Sequence, residues 1–379
     1  MVFGLLLLLQ ASTPDVIVTG KRLLEEQAIC RRGQCTPLRD ARASIAFAEV
    51  QFREGRYLDA KRTLAAAIKR NRGHAASAPR PVAALYEAYA TVALHEGDQD
   101  IYKRAVANRV RTLRDNLPAD DPAVRAAAPA LGDMWIKLGQ YKRADSSYRA
   151  AERNAVDAGQ DTAALMVAVR RVWLLSATGQ KAQARRMLDA IEARPAAKDP
   201  RVRIALRIMR FRIAARDADD AEMTTLAGLI GRSQAARPAL IWSPPFEPDR
   251  LAAANASARK VGQADTFQAR STDASGVEWM DVGFWIRPDG RTAEVEILRS
   301  SKSPSWADAV LAQIEGRRYA AAANPPADAA MPDAESVYHI ERITKGSNYV
   351  TPVGSLIRRR VSADGFETLD LTDVKDSRG

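Results

Sequence analysis

Two cysteines and three histidines are the residues of this chain best suited to chemistry, and their spacing restricts what they can do. Cys30 and Cys35 flank a glycine in CRRGQC, a spacing that closes a small loop as a structural disulfide in an oxidising compartment. The pair is neither C-x-x-C, as redox exchange would favour, nor a zinc spacing, and a metal would need two further ligands. His74, His95 and His339 all lie away from it in sequence. No nucleophile has a histidine and a carboxylate at recognisable spacing, no glycine loop suits a phosphate, and no ligand cluster suits a metal. These patterns predict a protein that is not an enzyme, with no catalytic, metal or cofactor-binding residues.

The elements around these residues must build a core, and the composition permits one. Apolar residues make up 46% of the 379 positions and charged residues 27%, which speaks for a wet-surfaced globular protein and against a membrane-embedded or disordered one. The net charge of +11 comes mostly from arginine. Those arginines are spread over every helical segment and are not interleaved with aromatics, so the expectation is a generally basic surface with no nucleic-acid partner.

Residues 1–12 begin MVFGLLLLLQA, an apolar run bounded by small and polar residues that looks like a secretory signal lacking its basic region. A bilayer span takes about 20 residues, so the run is too short to cross one. It predicts export, a membrane anchor if the natural N-terminus is longer, or a buried N-terminal segment if the protein is cytosolic. Residues 13–37, with the cysteine pair, read as a linker.

Residues 38–232 read as helical repeats. FREGRYLDAKRTL, LHEGDQDIYKRAV, IKLGQYKRADSSY and SATGQKAQARRML place glycines at 55, 97, 139 and 179, in steps of 42, 42 and 40. Each glycine can close one helix in the left-handed conformation before the next begins. Predicted helices run 38–54 and 57–71, 81–95 and 99–116, 122–138 and 141–157, and 161–178 and 180–193, with a fifth pair at 200–216 and 218–232. Ala60, Ala144 and Ala184, replaced by Tyr102 in the second unit, and then Leu64, Val106, Tyr148 and Leu188 fall at helix-packing positions. LGQYKRADSSYRAAE, residues 138–152, and EGRYLDAKRTLAAAI, residues 54–68, resemble tetratricopeptide repeats. That resemblance implies a curved solenoid that binds proteins or peptides in its groove. Tyr86, Tyr89, Trp135, Tyr141 and Trp173 are candidates for the groove and equally for the core; Arg104, Arg109, Arg143, Arg170 and Arg171 could meet an acidic partner or simply face solvent.

Residues 233–275 are proline- and loop-rich, although PALIWSPP could lie extended across the next domain. Residues 276–345 then read as strand, strand, helix, strand. VGFWIRPDGRTAEVEILRSS is a hairpin around Pro288, Asp289 and Gly290 with a bulge near Met280 to Val282; Trp306, Val310, Leu311 and Ile314 share a helix face; SVYHIERIT alternates as a last strand. Gly283, Asp289, Gly290, the strand Val295 to Ser300, the helix Trp306 to Ile314, Arg318 to Ala322, and Ser336 to Thr344 resemble the C-terminal domain of the TonB energy-transducer family. The fold class expected is therefore α+β, a tetratricopeptide-like solenoid followed by a small ββαβ domain.

The second resemblance implies a free sheet edge that takes up an extended segment of an outer-membrane receptor by strand addition. It places the partner-binding residues at Ser336, Val337, Tyr338, His339, Ile340, Glu341, Arg342, Ile343 and Thr344. Residues 346–379 form a tail in which 355–372 could fold as a hairpin around Asp364 and Gly365 and cover that edge. DVIVTGKR, residues 15–22, is similar to the docking segments of such receptors or is a linker. Together these features predict a non-enzymatic adaptor in the periplasm of a Gram-negative envelope, with a protein or peptide partner and at most peripheral membrane contact. The alternative they leave is an anchored transducer for receptor-mediated transport.

Overall fold

A computed structural model describes residues 20–215, 238–246, 276–301, 304–320, 336–351, 356 and 359–372. The signal-like segment, residues 15–19 of DVIVTGKR and the second helix of the fifth pair lie outside those residues. The chain divides into two compact units. One comprises Met1–Ser147, Arg270–Val277 and Thr344–Glu367, and the other Tyr148–Ala269, Glu278–Ile343 and Thr368–Gly379.

In the first unit the helices are α1 (Gly20–Arg31), α2 (Pro37–Arg53), α3 (Tyr57–Asn71), α4 (Pro79–Glu96), α5 (Gln99–Asn116), α6 (Pro122–Ala127), α7 (Ala130–Lys137) and the start of α8 (Tyr141–Asp157). Local chemistry sets their ends. The Thr36 hydroxyl and the Asp98 and Asp121 carboxylates accept hydrogen bonds from the first-turn amides of α2, α5 and α6. Gly55, Gly97, Gly139 and Gly179 all have positive φ, between 68° and 90°. After each, the next amide bonds back five residues, to Gln51, Ala93, Trp135 and Leu175, at 2.8–2.9 Å. Only glycine enters this backbone region without strain, so one closing motif recurs at these four turns, and again at Gly159 between α8 and α9, and reverses the chain from one helix into the next. Ala60, Ala144 and Ala184 are wholly buried, and Leu64, Val106, Tyr148 and Leu188 are buried as well.

Two differences from expectation have local causes. Residues 13–37 are not all linker: 20–31 form α1, which packs on α2, and Cys30 and Cys35 are joined by a disulfide just after it. The helix expected over 122–138 is two, because Pro129 has no amide hydrogen to continue the first. Within 233–275, Ala239–Trp242 forms strand β1, in line with the extended reading of PALIWSPP.

The second unit continues α8 and adds α9 (Asp161–Ala177), α10 (Lys181–Glu192) and α11 (Pro200–Ala214) around a core of Leu165, Val172, Leu188, Val202, Leu206 and Met209. β1 pairs antiparallel with β4 (Arg318–Ala320). Arg212 of α11 fastens β1 by donating to the carbonyls of Ile241 and Leu240 at 2.7 and 2.9 Å. β2 (Trp279–Ile286), β3 (Thr292–Ser300), α12 (Ala307–Glu315) and β5 (Val337–Val350) follow in the expected order of strand, strand, helix, strand, but with the short β4 inserted between the helix and β5. β6 (Arg359–Asp370) then completes a four-stranded sheet of order β3-β2-β5-β6. The sheet thus has one strand more than the ββαβ expectation: 346–350 extend β5, and 359–370 form a single strand through Asp364 and Gly365, not a hairpin, which covers the edge of β5 as the tail was expected to be able to do.

Candidate functional site

The border expected to receive a partner is already paired. β5 lies between β2 and β6. Its Ile340 carbonyl accepts from the Leu371 amide at 2.8 Å, and the Ile340 amide donates to Thr372 Oγ1 at 2.9 Å. The assignment of Ser336 to Thr344 as an open edge is therefore corrected: the chain's own last strand satisfies the groups that a foreign strand would need. Of the sheet's two actual borders, β3 and β6, the first is blunted. Its register to β2 shifts twice, leaving extra residues on β3, and Glu294 there sits at φ 51°. With Glu294, Glu296 and Arg299 exposed along it, this is an edge built to discourage pairing.

The side chains of the predicted segment serve the interior. Val337, Glu341, Arg342, Ile343 and Thr344 are buried, as is Ser336. Tyr338 stacks on Trp285 with 4.9 Å between ring centres, and His339 lies 5.0 Å from Phe284. Arg342 pairs with the buried Asp281, which also takes Arg299 at 2.5 Å, and its guanidinium sits 3.8 Å over the Trp279 ring. Glu341 pairs with Arg317 at 2.7 Å, and Gln313 and Tyr319 complete that cluster. Burial pushes the Tyr319 phenol up to about 12, so it stays protonated and donates or accepts as a neutral group. The Glu341–Arg317 cluster is a closed polar network, whereas the Asp281–Arg342 pair opens to the surface through Arg299.

The second half of β5 has a different setting, inside the first unit. Residues 344–350 lie against the turn between α4 and α5. His95 Nδ1 is 2.8 Å from Thr344 Oγ1, and its ring stacks edge-on against Phe52 at 5.1 Å. Glu96, with no exposed surface, receives the Tyr349 hydroxyl on one oxygen and Lys61 at 2.7 Å on the other. Gln99 bonds Asn348, and a side-chain carbon on Gly97 would meet the Ser347 side chain and come 2.6 Å from the Ser347 carbonyl oxygen. On β6, Glu367 pairs with Lys137 at the end of α7. Burial first, then the hydrogen bond to Glu96 and its charge, raise the Tyr349 phenol well above its ordinary range. An extended piece of polypeptide is thus held by side chains that the helix ends of the array present.

The equivalent turns at Gly139 and Gly179 are exposed, and nothing among the described residues lies within 4 Å of a side chain placed there. Of the candidate groove aromatics, Tyr89 and Trp135 pack against the core of Ala93, Val106 and Met134, and Trp173 against that of α9–α11. Tyr141 is 48% exposed. Arg109 pairs with Glu87 at 3.1 Å, Arg171 with Glu152 at 2.7 Å, and Arg143 lies 4.9 Å over Trp135. Lys61, Glu96 and Gln99 went unnoticed in the sequence, where the one trace of them is an acid at the apolar end of α4, directly before the glycine.

Among the described residues, no three His, Cys, Asp or Glu side chains could together hold a metal, and no helix is long and apolar enough to cross a membrane. No protein-family model and no curated protein matches the chain. Solved structures that resemble it include a Podosopora anserina protein described as a kinesin light chain with nearly identical tetratricopeptide-like repeats, at 16% identity over 48% of this chain and 86% of that one, with a TM-score of 0.39. The Rap conjugation gene regulator of plasmid pLS20, in complex with the Phr* peptide, matches at 14% identity over 58% and 57%, with a TM-score of 0.36. A Rap protein complexed with competence and sporulation factor matches at 13% identity over 62% and 61%, with a TM-score of 0.38.

Proposed function

We propose that this chain is a non-enzymatic adaptor of the periplasm that binds a protein or peptide partner along the turns of its helical array. The observation that carries the proposal is the seating of residues 344–350 on the α4–α5 turn, where Lys61, His95, Glu96 and Gln99 hold an extended strand. The turns at Gly139 and Gly179 repeat the same backbone closure and stand exposed, so they are the places for a partner's extended segment. The signal-like run at residues 1–12 and the Cys30–Cys35 disulfide support an oxidising, extracytoplasmic location. Cross-linking pull-down of the full chain from envelope fractions tests the proposal. It should capture a periplasmic or outer-membrane protein cross-linked to the array, whereas recovery of cytosolic partners alone rejects it.

Residues 276–345 run strand, strand, helix, short strand, strand, and a second role compatible with that order is energy transduction to outer-membrane receptors, through a border other than β5, which β6 already pairs. That role requires a membrane anchor. An in-frame extension before Met1 that adds a basic region and a full-length apolar helix would support it, and a mature N-terminus mapped by mass spectrometry to residues near 12 would remove it.

A further inference from the structure

Between the end of α10 and the first turns of α11, within the second unit, lies an open cavity of about 470 Å³. Arg194, Lys198, Arg203 and Arg207 line it together with one acid, Glu192, and Leu206, Ala197 and Pro195 are the apolar part of the lining. None of the four cations makes an ion pair or a side-chain hydrogen bond among the described residues. Their neighbours are engaged differently. Glu192 is held by Arg210 at 2.7 Å, and Asp199 caps α11 and pairs with Arg201 at 3.1 Å, so both carboxylates near the cavity are already neutralised by other arginines. Arg203 and Arg207 also stand four residues apart on one helix face, where like charges repel.

We infer that this cavity binds a small ligand bearing a phosphoryl or diphosphoryl group. A carboxylate brings one negative charge to four cations. A phosphoryl group brings about −1.5 to −2 and three acceptor oxygens, and guanidinium forks match its geometry in pairs. The charges converge on a concavity instead of running in a stripe, which fits a compact anion and not the backbone of a nucleic acid. The apolar part of the lining leaves room for a small organic body beside the charged group. The assignment is independent of the adaptor role and survives its failure.

Isothermal titration of the full chain with inorganic pyrophosphate, at constant ionic strength, tests the inference. The expected result is saturable binding that weakens at least about tenfold in Arg203→Gln/Arg207→Gln, since each charge-assisted bond lost is worth that much or more. Circular-dichroism melting checks that the variant remains folded, and Arg207→Gln alone serves if it does not. Heats indistinguishable from those of sodium chloride, or unchanged affinity in a folded variant, overturn the inference. An aspartate-rich peptide that binds more tightly than pyrophosphate and loses affinity in the same variant overturns the phosphoryl assignment in favour of an acidic polypeptide.

Discussion

Tyr349 of β5 donates its hydroxyl to Glu96, the last residue of α4, across 253 positions of sequence. The carboxylate has no exposed surface, so water cannot replace a lost partner. Tyr349→Phe should therefore cost about 1–3 kcal/mol of stability, the usual penalty for an unsatisfied buried acceptor. Urea unfolding gives the cost, and faster amide exchange confined to 344–350 would show that the seat itself has loosened.

Gly97 and Gly139 share a left-handed backbone, at φ 90° and 68°, but only the first is covered by the chain. Gly139→Ala should cost the backbone strain alone, about 1–2 kcal/mol. Gly97→Ala should cost clearly more, because the added carbon collides with the Ser347 backbone, which cannot move aside as a flexible side chain can. Equal melting temperatures for the two variants would mean that 344–350 does not rest on this turn.

Much of the helical half was legible because its signals are local. The predicted bounds of α3, α5 and α8 coincide with the observed ones, since apolar spacing, the repeated glycine and, at α5, the capping Asp98 act within a few residues. α1 escaped because GKRLLEEQAICR has no clean apolar stripe; its burial rests on Gln27 and Cys30 packed toward α2. The seat of residues 344–350 was not legible. The bonds from Glu96, His95 and Gln99 to β5 span about 250 residues and leave no periodic trace. The alternation in SVYHIERIT identified a strand correctly, but alternation is the same in an edge strand and in one flanked on both sides, so it could not show that β6 pairs there.

Asp40 ties α2 to α3 by accepting from Arg70 at 2.7 and 2.8 Å, Asn71 at 2.6 Å and Ser44 at 3.0 Å. Burial alone would raise its pKa, but the hydrogen bonds from Arg70, Asn71 and Ser44 outweigh burial and hold it below the ordinary value. The folded pKa is then lower than the unfolded value of about 3.9, so the stabilisation is full above that pH and disappears as pH falls through the folded pKa. Asp40→Asn should destabilise by about 2 kcal/mol at neutral pH. Thermal melts of the two proteins should converge as the pH drops below about 4, and a constant gap would contradict the assignment.

Arg342 and Asp281 form a buried pair beneath Trp279. Removing one partner strands a charge away from water, so Asp281→Asn should cost about 3–5 kcal/mol. Arg342→Met/Asp281→Asn removes both charges and should recover part of that loss. Chemical denaturation of the three proteins decides this, and a double variant weaker than Asp281→Asn would show that Arg342 contributes mainly through the Trp279 ring.

The proposed role of the array as a holder of extended polypeptide is tested most directly by photo-cross-linking from single positions in living cells. A cross-linker at Gln140, beside the exposed Gly139 turn, should yield adducts with a periplasmic or outer-membrane protein. The same group at Gln99, where Asn348 is already seated, should yield links within the chain to 344–350. Envelope adducts from Gln99 but not Gln140, or no adducts outside the chain from either position, would contradict the account.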